Sequence, residues 1–183
     1  MARTGLLKTK RLIIRPFTEK YLTERYVGWL NDPVVVKFSD QRHKRHTLKS
    51  CRKYMESFNK SPNYFWAIVA KDKALGHIGN TNAYIDPVNK SADVGILLGE
   101  RSAWGQGFAL EAWQVVCDYL LHKKNIFKVT AGTLSVNTRM LNLMKRTGMI
   151  KDERPAGYII FKGRKVSIIH MALFKNMRKL HHE

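Results

Sequence analysis

The spacing of apolar and polar positions changes along the chain, and each change marks an element. Leu12-Ile13-Ile14-Arg15 is a short β-type run that Pro16 ends. Thr18 stands where it can cap a helix carrying Leu22, Tyr26, Trp29 and Leu30 at helical spacing, and Asn31-Asp32-Pro33 stops that helix. Thr47 predicts a second helix with Leu48, Cys51, Tyr54, Met55 and Phe58 on one face. From residue 64 the period falls from about 3.6 to about 2, so that Tyr64–Ala70 and residues 75–85 read as an antiparallel pair around the Lys71-Asp72-Lys73 turn. Residues 92–98 form a third run, dense in aliphatic side chains, and the loop 99–106 feeds a long apolar helix over 107–122. Lys128–Leu134 predicts another strand, 137–147 another helix, and Tyr158–Phe161 with 166–174 a terminal β-hairpin across Lys162-Gly163-Arg164. This mixture predicts an α+β fold, a mixed and mostly antiparallel central sheet covered by helices.

Composition fits one folded domain over residues 1–183, with its core at about 8–174. The chain is 44% hydrophobic and 26% charged, without a repeat, a low-complexity tract or a Gly/Ser linker. Cys51 and Cys117 have no His or Cys at ligand spacing, so they predict plain thiols in a reducing compartment and no metal site. Only Leu6-Leu7 is apolar before the charges of Lys8, Lys10 and Arg11, and no run of about 18 apolar residues follows. A soluble, cytoplasmic protein without a membrane span is the expectation. Charge adds one thing: 33 Lys and Arg against 14 Asp and Glu give a formal +19, which concentrates anionic partners. His43-Lys44-Arg45-His46 is the most basic loop, and it reads either as solvated surface or as part of such a contact.

The stretch richest in chemistry is Trp104-Gly105-Gln106-Gly107-Phe108-Ala109, a glycine-rich turn between a buried strand and a helix N-terminus. Such a turn exposes backbone N–H groups at the positive end of a helix dipole, an arrangement suited to a pyrophosphate. A dinucleotide fingerprint needs a small residue where Leu110 stands, and a phosphate loop of the Gly-Lys-Ser/Thr type is absent. Glycines that only let a strand turn into a helix remain an alternative at this point.

The order strand, "WGQGFALEAW", long helix, strand, "NTRMLNLMKRTGM" resembles the GNAT superfamily of acetyl-CoA-dependent N-acyltransferases, in the branch related to ribosomal-protein N-terminal and amino-sugar acetyltransferases. The resemblance extends to Lys10-Arg11-Leu12-Ile13-Ile14-Arg15 and Trp29-Leu30-Asn31-Asp32-Pro33, and covers about residues 8–174. It implies that the amides of Gly105, Gln106, Gly107, Phe108 and Ala109 hold the coenzyme A pyrophosphate, although Trp104 stands where the family has Arg or Gln. It implies too that backbone groups near Leu97, Leu98 and Gly99, on a central strand that splays from its neighbour, bind the pantetheine arm, and that Asn137 holds the pantetheine or substrate side.

Amide formation from acetyl-CoA needs a neutral amine, a polarised carbonyl and a stabilised leaving thiolate. An alkyl amine with a pKa of about 10.4 needs a proton acceptor at neutral pH. Asp93 occupies the place where related enzymes carry an acidic residue, which makes it the candidate base; an ion-paired structural carboxylate is the other reading. A backbone N–H near Leu98 serves for the carbonyl. Where many relatives carry a Tyr to protonate the thiolate, this chain has Met144, so no general acid is nominated. His77, Glu111, Trp66, Trp113, Tyr119 and Cys117 read as structural, with Trp66 the one expected nearest a substrate pocket.

The acceptor amine stays open among a nucleotide-linked amino sugar, a protein N-terminus such as a ribosomal protein's, and a smaller amine; positive charge favours an anionic acceptor. Arg42, Lys44, Arg45 and Arg101 are the candidate cations. Two readings from other classes are a non-catalytic acyl-CoA-binding module and a nucleic-acid-binding module; no helix-turn-helix, zinc or RNA-recognition signature supports the latter.

Overall fold

A computed structural model describes residues 6–155 and 157–176. Along them run β1 (Leu7–Lys8), β2 (Leu12–Pro16), α1 (Glu24–Asn31), α2 (Leu48–Glu56), β3 (Tyr64–Ala70), β4 (His77–Asp86), β5 (Ser91–Leu98), α3 (Phe108–Asp118), β6 (Lys128–Leu134), α4 (Thr138–Arg146), β7 (Ile150–Lys151), β8 (Tyr158–Phe161) and β9 (Arg164–Phe174). The strands lie in the order β1-β2-β3-β4-β5-β6-β9-β7, with β8 added to β9 as the expected terminal hairpin. Every pairing is antiparallel except β5 with β6. The fold is α+β, as the pattern predicts.

Alternation along β3 sorts side chains into two layers. Trp66 and Ile68 join the core beneath α3 and α4, whereas Phe65 and Ala67 join an aromatic cluster beneath α1 and α2. Helical cover on both sides makes both faces of β3 apolar, which is why its sequence carries few polar positions.

Two helix starts differ in how well the sequence places them. Thr47 caps α2 in a reciprocal box with Ser50. Thr18 makes no cap bond and precedes only a turn of 3-10 helix at Glu19–Tyr21; α1 begins later, with the Thr23 side chain accepting from the Tyr26 N–H. Two Thr residues stand at cap spacing in one segment, and the periodic run Tyr26, Val27, Trp29 and Leu30 belongs to the second. β1 and β7 are two residues each, too short to show a period.

Two irregularities shape the site. Against β3, Ile78 is an extra residue in β4, since Val69 pairs with His77 and Ile68 with Gly79. This bulge puts Ile78 into the α3-side core and turns Asn80, Asn82 and Tyr84 to the side of α1 and α2. The second is a split in the sheet. β5 pairs with β6 only at Ser91, Ala92 and Asp93, opposite Lys128, Val129 and Thr130. Beyond that point β5 follows β4 as far as Leu98, and β6 follows β9 as far as Leu134. The sheet therefore opens as a V with Asp93 and Thr130 at its vertex.

Candidate active site

The loop after β5 is built to leave its amides open. A 3-10 turn at Arg101–Ala103 leads through Gly105 (φ +77°) to Gly107 (φ +82°), the N-cap of α3. Both glycines hold the left-handed conformation that side chains resist. Gly107 brings no capping side chain, and the N–H groups of Gly105, Gln106, Gly107, Phe108, Ala109 and Leu110 form no hydrogen bond of ordinary geometry with any described group. Six unpaired donors at a helix start constitute an anion cradle.

Sequence reading gave Glu111 no more than a helix-dipole role and did not single out Arg11. The structure joins them. Glu111 Oε1 accepts from the backbone N–H of Arg11 at 2.8 Å and from the Thr9 hydroxyl, and Oε2 accepts from Arg11 Nε at 2.7 Å. So held, the Arg11 guanidinium lies 4.4 Å from the Phe108 ring centroid and donates to the Gln106 carbonyl at 2.8 Å. A Cβ at Gly107 would come within 3.4 Å of Arg11 Nη2. The signal is only visible across a separation of about a hundred residues, which a local pattern does not reveal.

Along the open arm of the V, Gly99 donates its N–H to Ile78 of β4. Strand alternation then turns the backbone groups of Leu98 and Ile96 toward the gap left by β6, and those of Leu97 and Gly99 toward β4. The Leu98 carbonyl accepts from the Trp104 indole at 2.9 Å, so Trp104 ties the loop to the strand. Across the gap, Asn137 caps α4: its Oδ1 accepts from Met140 N–H and its Nδ2 donates to Thr133 Oγ1.

On the α1 and α2 side of β5 lies a cleft of about 520 Å³. Gly95, Ile96 and Leu97 form its floor, Asn80, Asn82 and Tyr84 one wall, Ser50, Cys51 and Tyr54 of α2 another, and Lys44, Arg45 and His46 its rim. No carboxylate lines it among the described residues. Asp93 shares the strand face of Gly95 and Leu97, is exposed, and accepts from Thr130 Oγ1 at 2.7 Å. Tyr84 is its register partner on β4 and bonds the Tyr54 hydroxyl at 2.9 Å, closing the cleft at that end. A Cβ at Gly95 would meet Asn82 Oδ1 at 2.7 Å, so the Asn82 amide fills the space beside this glycine. The coenzyme gap and the acceptor cleft thus meet on one strand segment. A larger hollow of about 860 Å³, bordered by Arg15, Phe17, Tyr21 and Phe58, shares no residue with it.

Of the four expected cations, Lys44 and Arg45 reach the cleft; Arg101 lies beside the coenzyme loop, near the Trp104 ring, and Arg42 is drawn to Asp40 and the Phe161 ring. Trp66 is wholly buried against Tyr64 and is absent from the cleft, contrary to expectation, because β3 turns it to the α3 side. Met144 and Cys117 are also fully buried. His77 packs among Phe17, Tyr21, Tyr26 and Trp29, where burial lowers its pKa to about 4 and leaves it neutral. Asn80, Asn82, Tyr54 and His46 are cleft residues that the sequence did not single out; the β4 bulge that turns the strand carries no motif.

A V-shaped sheet with an anion cradle at the mouth of the V can hold a phosphate-bearing ligand whose arm lies along the open strand. Residues 11–150 match the family described as acetyltransferase (GNAT) domain, and the chain belongs to that family. It is accordingly an acyltransferase that uses acetyl-CoA. The chain is 29% identical over 176 residues, 92% of its own length and 96% of the relative's, to the uncharacterized N-acetyltransferase p20 of Bacillus licheniformis. In fold it resembles the ribosomal L7/L12 alpha-N-protein acetyltransferase RimL, solved with coenzyme A, at TM-score 0.78 and 15% identity over 93% of this chain and 98% of that one. It also resembles spermidine N-acetyltransferase of Vibrio cholerae, solved with coenzyme A and spermine, at TM-score 0.80 and 14% identity over 92% and 98%. No metal-binding group of His, Cys, Asp and Glu occurs among the described residues, and no described helix is long and apolar enough to cross a membrane.

Proposed function

We propose that the chain N-acetylates a primary amine on an anionic acceptor, with a nucleotide-linked amino sugar as the acceptor class. The observation that carries this reading is the cleft lining: Lys44 and Arg45 at the rim, neutral amides and hydroxyls within, and no carboxylate. A polyamine bears several positive charges and would need the acidic groups that this cleft lacks. A pyrophosphate-bearing acceptor gains from both cations. A protein N-terminus is the second reading, favoured by the fold shared with RimL.

Coenzyme A sits in this proposal with its pyrophosphate on the amides of residues 105–109 and on Arg11, and its pantetheine arm along Ile96 and Leu98. When bound it supplies an acetyl thioester. Asp93 at the vertex takes the proton from the acceptor amine by way of water, with Thr130 fixing the carboxylate so that one oxygen stays free.

The test compares initial rates for a nucleotide-linked amino sugar, the matching free amino sugar and an N-terminal peptide over a salt series. At physiological ionic strength the screening length is about 8 Å, so exposed cation–phosphate contacts weaken markedly as salt rises. The nucleotide-linked sugar is expected to be preferred, with a KM that rises with salt. Preference for the peptide, or equal use of the free sugar without a salt effect, overturns the acceptor assignment.

A further inference from the structure

The cleft holds two polar atoms without a partner. Asn80 is nine-tenths buried on β4, and its Oδ1 has no hydrogen bond. His46 Nε2 is likewise buried and unpaired. Both residues line the cleft, and Asn80 stands opposite Leu97, on the segment of β5 that borders the coenzyme gap. A buried carbonyl oxygen left unpaired is costly, and one that lines a cleft points to a ligand that satisfies it. Among the described residues the other unpaired buried groups lie away from the cleft: Trp66 Nε1 and Trp113 Nε1, donors in the apolar core, and His170 Nδ1 on β9.

The chemistry of the two atoms specifies what they meet. Oδ1 of an amide accepts and does not donate. The His46 loop is fixed by two bonds to Asn31: Asn31 Nδ2 donates to the His46 carbonyl and the His46 N–H donates to Asn31 Oδ1, at 2.9 and 2.8 Å. Burial and the nearby Lys44 charge lower the ring's pKa, so the ring is neutral at neutral pH and can offer a lone pair at Nε2. Two acceptors lining one cleft call for a group rich in N–H donors.

We infer that Asn80 and His46 form the seat of the acceptor amine, holding its N–H groups next to the strand segment where the thioester lies. This rests on the proposed acetyl transfer and deepens it. The amine end of the acceptor meets two neutral acceptors, while its phosphates meet Lys44 and Arg45 at the rim. A cleft with this polarity reads a molecule positive at one end and negative at the other. Asn80 and His46 are positioning residues: they orient the nitrogen, whose proton passes through water to reach Asp93, four residues from Leu97 along β5.

The experiment measures binding of a UDP-linked amino sugar by calorimetry to protein saturated with desulfo-coenzyme A, which permits binding without turnover. Asn80→Leu is expected to weaken acceptor binding about tenfold, the loss of one hydrogen bond at a buried site. Its desulfo-coenzyme A affinity should stay within twofold of the parent's, and its urea midpoint should equal or exceed the parent's, because an orphaned carbonyl has been replaced by an apolar group. Asn80→Asp keeps the accepting oxygen and is expected to restore acceptor binding. Unchanged acceptor affinity in Asn80→Leu overturns the seat, and so does a loss of stability with both ligands weakened together. Should Asn80→Leu fail to fold, His46→Phe against His46→Gln reads the same point, with Gln retaining an acceptor and Phe none. If the parent binds an N-terminal peptide and not the sugar nucleotide, the acceptor class is wrong, and the same variants judge the seat with the peptide as probe. If the parent binds no amine, both proposals fall.

Discussion

Gly107 and Arg11 make the coenzyme cradle a matter of single residues. At φ +82° a non-glycine residue costs about 1–2 kcal/mol, which a domain of this size tolerates, while the added side chain would intrude beside Arg11 Nη2. Gly107→Val is therefore expected to remain folded and to lose coenzyme A binding in calorimetry; parent-like affinity in the folded variant would mean that the pyrophosphate lies elsewhere. Arg11→Met keeps the contact with Phe108 but removes the charge. A charge-assisted bond to phosphate contributes roughly 1.5–3 kcal/mol, so coenzyme A should bind about tenfold more weakly or worse. At this scale the glycines of the loop were legible in the sequence, because φ > 0 leaves a trace in residue type. Arg11 was not, because its meaning depends on Glu111 across the sheet.

Among the elements, α1 is fixed against the end of β5 by one close approach. A Cβ on Gly99 would lie 2.0 Å from Trp29 Cδ2, so the indole occupies the space that any side chain would need. Gly99→Ala is expected to destabilise the fold by about 3 kcal/mol through forced repacking, read as a lower urea midpoint; an unchanged midpoint would mean that Trp29 moves aside freely. His77 sits in the same aromatic cluster. Its pKa falls from 6.5 in the unfolded chain to about 4 in the folded one, so between those values the unfolded chain binds the extra proton. Stability should hold above about pH 6.5 and drop by about 3 kcal/mol as pH falls to about 4. His77→Phe should lose that part of the slope in urea titrations, and a slope equal to the parent's would place the effect on other groups. Element types followed from periodicity, and most boundaries lie within a residue or two. What periodicity missed is the bulge at Ile78, a one-residue shift in pairing that decides which side chains of β4 face the cleft.

For the molecule as a whole, the sequence carried the fold class and the family, because a strand, a glycine-rich turn and a long helix recur in fixed order. The split between β5 and β6 is different in kind. It depends on which residues of β6 leave β5 to pair with β9, and nothing local to either strand encodes it. Only once the V is drawn does Asp93 come to the point where the two halves of the sheet join, with the gap opening beyond it and Tyr84 between it and the cleft. The net charge of +19 acquires a location in the same way, since two of its cations rim the cleft and Arg11 flanks the coenzyme loop.

The account depends on acetyl transfer at that vertex. The direct measurement is amine-dependent thiol release from acetyl-CoA across pH, for the parent and for Asp93→Asn, with a nucleotide-linked amino sugar as acceptor. The parent should release one thiol per amide formed, and Asp93→Asn should bind coenzyme A normally while kcat/KM falls about 10²-fold. Near-parent activity with an unchanged pH–rate profile would contradict the account, leaving Asp93 as no more than the clasp that holds Thr130.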